Sequence, residues 1–257
     1  MTTIIVFFLV HWYLSIFAQT FFMHRYAAHG MFTMSKGWER FFFIFSYIAM
    51  GSSYLSARVY GILHRYHHAY ADTEDDPHSP SYSKNAIQMM WETSKMYGNI
   101  KRNKIEIEPR FSKNVPTWNA FDKIADNPIS RLLWASLYVL IYVQFAPYWW
   151  LFLLLPIHFA MGPVHGVIIN WFAHTIGYRN FEVKDTSTNF LPFDFLTLGE
   201  AYHNNHHTHG SRPNFGGIRW HELDLAWLII RGLDKVGVIK LRKVASTASI
   251  KPARKAA

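Results

Sequence analysis

The sequence predicts an all-α integral membrane protein. It has about three transmembrane helices, one interfacial or re-entrant helix, and a cytoplasmic helical cap holding a di-metal site. Three observations carry that expectation. Half of the 257 residues are hydrophobic and 18% are aromatic, heavy for a water-soluble domain. Met1–Met23 and Leu132–Tyr178 contain no Asp, Glu, Lys or Arg. The spacing of "HRYHHAYADTEDDPHSP" recurs in "EAYHNNHH", about 140 residues later.

The first apolar block, roughly Thr3 to Met23, is long enough to cross a bilayer, since a helix needs about 20 residues for about 30 Å of hydrocarbon. It lacks the basic start and small-residue cleavage site of a signal peptide, so it is expected to remain as a helix. The second block, Phe41 to Ala57, is uncharged but lies between Arg40 and Arg58. As a helix it reaches only about 25 Å. The third, Leu132 to Tyr178, has the length of two crossings, and "APYWW" at Pro147 marks the turn between them.

The second block decides the topology. If it crossed, His24 and His29 would lie on the opposite side of the membrane from His64, His67 and His68. If it lies in the interface or dips and returns, every histidine cluster shares one side. Arg25, Lys36, Arg40, Arg58, Arg65 and most later basic residues fall on that same side. The positive-inside rule makes it cytoplasmic, with the N-terminus outside. The same bias accounts for the net charge of +9, so no nucleic-acid partner is expected. Residues 1–240 read as one domain, and 241–257 as a basic, disordered tail.

On a helix, residues i, i+3 and i+4 share a face. His64, His67 and His68 therefore point together, as do His203, His206 and His207. His24 and His29 are five apart, about 140° around an ideal α-helix, and converge only if the helix bulges or ends between them. "NWFAHTIGYR" places Asn170 and His174 at i and i+4. Nine clustered imidazoles exceed what one ion holds, so two ions are expected; imidazole suits Zn, Cu, Fe and Ni. No HExxH motif of a zinc hydrolase occurs. The absence of cysteine excludes disulfides, thiolate zinc sites and Fe–S clusters. A nitrogen-rich pair of redox metals beside lipid points to oxidation of something apolar.

"HRYAAHG", "HRYHHAYADTEDDPHSP", "NWFAHTIGYR" and "GEAYHNNHH" together resemble the histidine boxes of membrane fatty acid desaturases, closest to the acyl-CoA Δ9, stearoyl-type branch. The resemblance runs from about Ala18 to about Leu223. It implies two irons held by His24, His29, His64, His67, His68, His174, His203, His206 and His207, with Asn170 approaching one metal through water. It further implies O2 as co-substrate and a cis double bond, at Δ9 in the branch it resembles most, in an acyl-CoA or acyl-lipid substrate. Electrons would come from a reductase with cytochrome b5 or ferredoxin. The family usually has four crossings, against three read here. A membrane hydroxylase or ketolase acting on another lipid has similar boxes and is the alternative; a metal transporter would place its ligands near the bilayer midplane.

Supporting roles are open at this level. Asp72, Glu74, Asp75, Asp76 and Glu200 could accept the distal N–H of ligand histidines. Phe21, Phe22, Trp171 and Phe172 could line a substrate tunnel, although single aromatic residues are more often core or lipid-facing. Lys95 to Lys113 could meet an anionic head group. His11, His158 and His165 read as hydrogen-bonded packing residues within crossings, and His78, His209 and His221 as structural or surface groups.

Overall fold

The computed structural model describes residues 1–243. Helix α1 (Thr2–Phe17) runs without a break into a π-helical segment, Ala18–Ala28. Together they form one apolar helix of 27 residues, long enough to cross a membrane. A short strand β1 (Phe32–Met34) leads to α2 (Lys36–Met50), whose start is capped by Ser35 accepting from the Trp38 N–H. The chain turns at Gly51–Ser53 and returns as α3 (Ala57–Tyr70).

That turn answers the topology question raised by the Phe41–Ala57 block. Gly51 sits at φ +53°, in the left-handed region, and Tyr138 leaves no room there for a β-carbon. The carbonyls freed by the turn are not orphaned. Arg131 donates to Ser52 O at 2.8 Å and Tyr54 O at 2.6 Å, and pairs with Asp126 at 2.7 Å. The block thus turns back on itself and does not part His24 from His64, whose rings lie 4.3 Å apart.

Helix α4 (Ala86–Lys101) packs on α3, and the short helices α5 (Pro109–Ser112) and α6 (Asn119–Ala125) follow. Helix α7 (Pro128–Phe145) is the second candidate span. The chain reverses at Ala146–Tyr148, as the sequence indicated. The return is broken into a 3₁₀ stretch (Trp149–Leu154), α8 (Leu155–Phe159) and α9 (Met161–Asn170), bent by 69°. The break has a local cause. Pro163 has no N–H to give to Phe159 O, and the Ser52 and Ser53 hydroxyls donate to that carbonyl instead, at 3.1 and 3.2 Å. Two helices are therefore apolar and long enough to span a membrane, or three when the bent pair counts as one.

Beyond α9 the expected helical cap is mostly irregular. A 3₁₀ turn (Phe172–His174), the six-residue helix α10 (His203–Thr208) and α11 (Leu225–Lys235) are its helical pieces. Buried side chains replace helical hydrogen bonding. Asp194 accepts from the backbone N–H groups of Thr197, Gly199 and Ala201 at 2.7–3.0 Å. Glu222 accepts from Tyr178, Asn180, Asn205 and the Ile218 and Arg219 N–H groups. A second strand, β2 (Ile239–Leu241), pairs antiparallel with β1, Phe32 opposite Leu241. The stretch expected to be a disordered tail thus begins in an ordered strand; its remainder from 244 onward lies outside the described residues.

Candidate metal centre

The π-helical segment solves the convergence problem of His24 and His29. In a π-helix the N–H of residue i+5 bonds to the carbonyl of residue i, which stacks residues five apart. The His29 N–H meets His24 O at 3.1 Å, and their Nε2 atoms stand 3.1 Å apart. Helix α3 brings His64 and His68 to the same point, and α10 brings His206. Nε2–Nε2 separations of 3.0 Å join His29 to His64, His24 to His206, and His206 to His68.

A second group lies alongside. His67, on the same helix as His64 and His68, faces His207 with 3.3 Å between Nε2 atoms, and His174 faces His203 at 3.1 Å. The nine histidines thus fall into a group of five (His24, His29, His64, His68, His206) and a group of four (His67, His174, His203, His207). With metal–nitrogen bonds of about 2.1 Å, adjacent donors around one ion stand about 3 Å apart. The observed spacings suit that geometry.

The outward nitrogens fix the inward ones. Glu200 accepts from His24 Nδ1 at 2.7 Å, and Asp76 accepts from His67 Nδ1 at 3.0 Å. Asp72 accepts from His174 Nδ1 at 3.3 Å, and Asp185 from His207 Nδ1 at 3.1 Å. A proton held on Nδ1 leaves the Nε2 lone pair free to face the centre. Burial pushes His67 down to about 3 and holds His64, His68, His203, His206 and His207 well below the ordinary histidine value, so these six rings stay neutral. Burial alone would raise Asp72, but the His174 imidazole and the Thr186 N–H outweigh it and leave the carboxyl below its usual range.

Several expectations are refined here. Of the four acids after the second box, Asp72 and Asp76 reach histidines, whereas Glu74 and Asp75 are solvent-exposed. Asp185 has no local motif to mark it and is recognisable only in the fold. Arg25, counted among the loop charges, is fully buried: it bonds Asp224 at 2.7 Å and Glu200 at 3.2 Å, and lies over the Phe215 ring. His78 is no surface residue. It is buried against the His67 ring, neither of its ring nitrogens has a protein partner, and it joins His67 and Asp76 in a third cluster.

His11 and His158 meet ring to ring at 2.6 Å, with Tyr142 2.9 Å from His158 Nε2, and His165 bonds Gln19 at 2.7 Å. His11 and His158 are hydrogen-bonded packing residues, as the sequence suggested, whereas His165 also borders the cavity that leads to the histidines, and its Nε2 has no protein partner.

A cavity of about 830 Å³ opens onto the histidines. His24, His64, His78, His203, Glu200 and Asn170 form part of its wall. It extends between α1, α4 and α9, past Ile16, Leu55, Met90, Trp91 and Ile169, and Lys95, Lys101 and Arg102 border it. Phe21 and Phe22 are not among its walls. They are fully buried against Phe42 and Phe43 in the protein core, and Trp171 and Phe172 also lie off the cavity.

An apolar helical protein with a cavity leading to two carboxylate-braced histidine groups has the make-up of a membrane-bound metal enzyme. Comparison with known proteins makes this specific. The fatty acid desaturase family model matches residues 2–242, and the chain belongs to that family. It is 28% identical over 227 residues to Delta-9 desaturase-like 5 protein of Arabidopsis thaliana, covering 85% of this chain and 70% of the relative. Delta-9 acyl-lipid desaturase 1 of the same plant is 27% identical, covering 84% of this chain and 67% of the relative. Acyl-CoA C20 Delta5-desaturase of Anemone leveillei is 29% identical, covering 90% and 70%. The protein is an oxidoreductase of lipid metabolism and an integral membrane protein.

Proposed function

We propose that this chain, with residues 1–240 as its single catalytic domain, is an O2-dependent fatty acyl desaturase that places a cis double bond at Δ9 through a histidine-bound di-iron centre. The observation that carries the reading is the convergence of nine Nε2 donors into two groups at the end of an apolar cavity. His24, His29, His64, His68 and His206 would hold one iron; His67, His174, His203 and His207 the other, with Asn170 assisting through water. Bound there, two irons would supply the O2-derived oxidant that an unactivated alkyl C–H bond requires.

The protein's own part is positioning. The cavity lays the saturated chain beside the histidines, and its apolar walls exclude bulk water from the reacting carbons. Glu200, Asp72, Asp76 and Asp185 hold the imidazole rings in one tautomer and orientation. Lys95 and Arg102 are placed to meet an anionic head group, whether coenzyme A or a phospholipid. O2 takes two hydrogens from the substrate, two electrons from a donor such as cytochrome b5 or ferredoxin with its reductase, and two protons from solvent, and leaves as two waters. The basic loops favour a cytoplasmic active site and an outside N-terminus.

Regiochemistry has a specific competitor, because one relative at 29% identity is named a Δ5 enzyme. Gas chromatography–mass spectrometry of lipids from a host expressing the chain, with and without His67→Ala, tests the proposal. A new Δ9 double bond that the substitution abolishes supports it. A Δ5 product would correct the position, and an alcohol or ketone would replace desaturation with hydroxylation or ketone formation.

A further inference from the structure

We infer that the cap carries a second, non-spanning membrane contact: an apolar face built from the Phe193–Leu196 loop, the Trp220–Leu223 loop and the start of α11, which sits among lipids. Phe193, Phe195, Leu196, Leu223 and Leu228 are all exposed, and Trp220 is 91% exposed. In a water-facing cap, six large apolar side chains gathered on one face have no evident role. Phe193 and Trp220 lie with ring centroids 6.3 Å apart, and Ala226 N–H bonds Leu198 O at 3.2 Å, so the two loops and α11 form one surface.

The occupant follows from what this face adjoins. Trp12, in the candidate span α1, donates its indole N–H to Leu196 O at 2.9 Å. Leu198 and Ala226 pack against Trp12, Ile16 and Met161. Trp12 precedes His24 by twelve residues, at most about 18 Å along the helix. The loop is therefore pinned to the span itself, on the membrane side of the histidines, beside the exposed flank of α1 at Leu9, Val10 and Tyr13. A face continuous with the lipid-facing side of a span is covered by lipid.

Two further features fit this assignment. The loop is rigid: Asp194 accepts from Thr197, Gly199 and Ala201 backbone N–H groups and holds the projecting side chains in place. Exposed Arg231 and Lys235 on α11 flank the apolar residues, as in interfacial elements that bury one side and offer basic groups to lipid phosphates. Seven residues separate Phe193 from Glu200 and ten from His203, so lipid contact braces the segment that supplies a histidine-orienting carboxylate and α10.

The absence of native cysteine permits a clean test on the full chain in lipid nanodiscs. Nitroxide labels are placed singly through Phe193→Cys, Trp220→Cys and Leu228→Cys. Leu133→Cys on the exposed side of α7 is the lipid reference, and Glu74→Cys the aqueous one. Each label's accessibility to O2, which partitions into lipid, is compared with that to a water-soluble nickel chelate. Labels at 193, 220 and 228 are expected to match position 133, with the O2-to-nickel ratio well above that at position 74. Ratios matching position 74 at two or more of the three sites would overturn the inference. All three positions are exposed, so each variant is expected to fold; if one does not, the other two decide by the same criterion.

Discussion

His24 Nε2 lies 3.0 Å from His206 Nε2, although 182 residues of chain separate them. One sits at the end of the first candidate span and the other on α10, and the two converge on one point with His29, His64 and His68. His206→Ala removes the donor nearest both His24 and His68. It is expected to abolish unsaturated product and lower bound iron while membrane insertion persists. Lipid analysis and elemental analysis of the purified variant check this. Full activity would remove His206 from the centre.

Glu200→Gln tests the brace without touching a ligand. Glu200 accepts from His24 Nδ1 and from the Thr20 hydroxyl, and pairs with Arg25. Loss of the carboxylate should reduce metal affinity or turnover by roughly 10- to 100-fold, the usual cost of removing such a partner. Metal titration alongside kcat measurement separates this from general unfolding. A variant with unchanged iron affinity and turnover would show that His24 needs no anionic partner.

The turn at Gly51 should be as demanding as the site. Gly51→Ala forces a side chain into a positive-φ position against the Tyr138 hydroxyl, and a loss of about 1–3 kcal/mol is expected. Tyr138→Phe on that background should recover part of it by removing the clashing oxygen. Thermal unfolding in detergent gives both numbers; an unchanged Tm in the single variant would contradict the turn geometry.

Much of this was legible in the sequence. The i, i+3, i+4 histidine spacing names the faces that meet, and the shortness of the Phe41–Ala57 block foretells a segment that turns back. The rest depended on contacts that no local pattern records. Asp185 reaches His207, and Arg25 reaches Asp224, only once the cap has folded over α1. Phe21 and Phe22 take the core alternative rather than the tunnel wall, a choice the sequence left open because aromatic character marks burial without saying whether a wall or a core is formed. The irregular cap was read as helical because its buried Asp194 and Glu222 networks, which replace helical bonding, join positions far apart.

Acid should destabilise the metal-free protein. The buried histidines keep their protons off down to low pH, His67 to about 3, whereas the unfolded chain takes them up near 6.5. Below 6.5 the unfolded state therefore binds more protons, and folding stability falls as pH falls toward 3. Tm of the metal-free protein should decline from pH 6.5 downward and level off above it. Bound metal should shift the decline to lower pH, because protons must then compete with the ion. A Tm independent of pH between 6.5 and about 5 would mean the imidazoles are not buried as described.

The most direct test of the central claim is the metal content of the purified, catalytically active protein, measured by elemental mass spectrometry beside His203→Ala. Two irons per chain are expected, falling to about one or fewer when the four-histidine group loses His203. A fully active protein with one iron, or with zinc in place of iron, would contradict the two-iron centre.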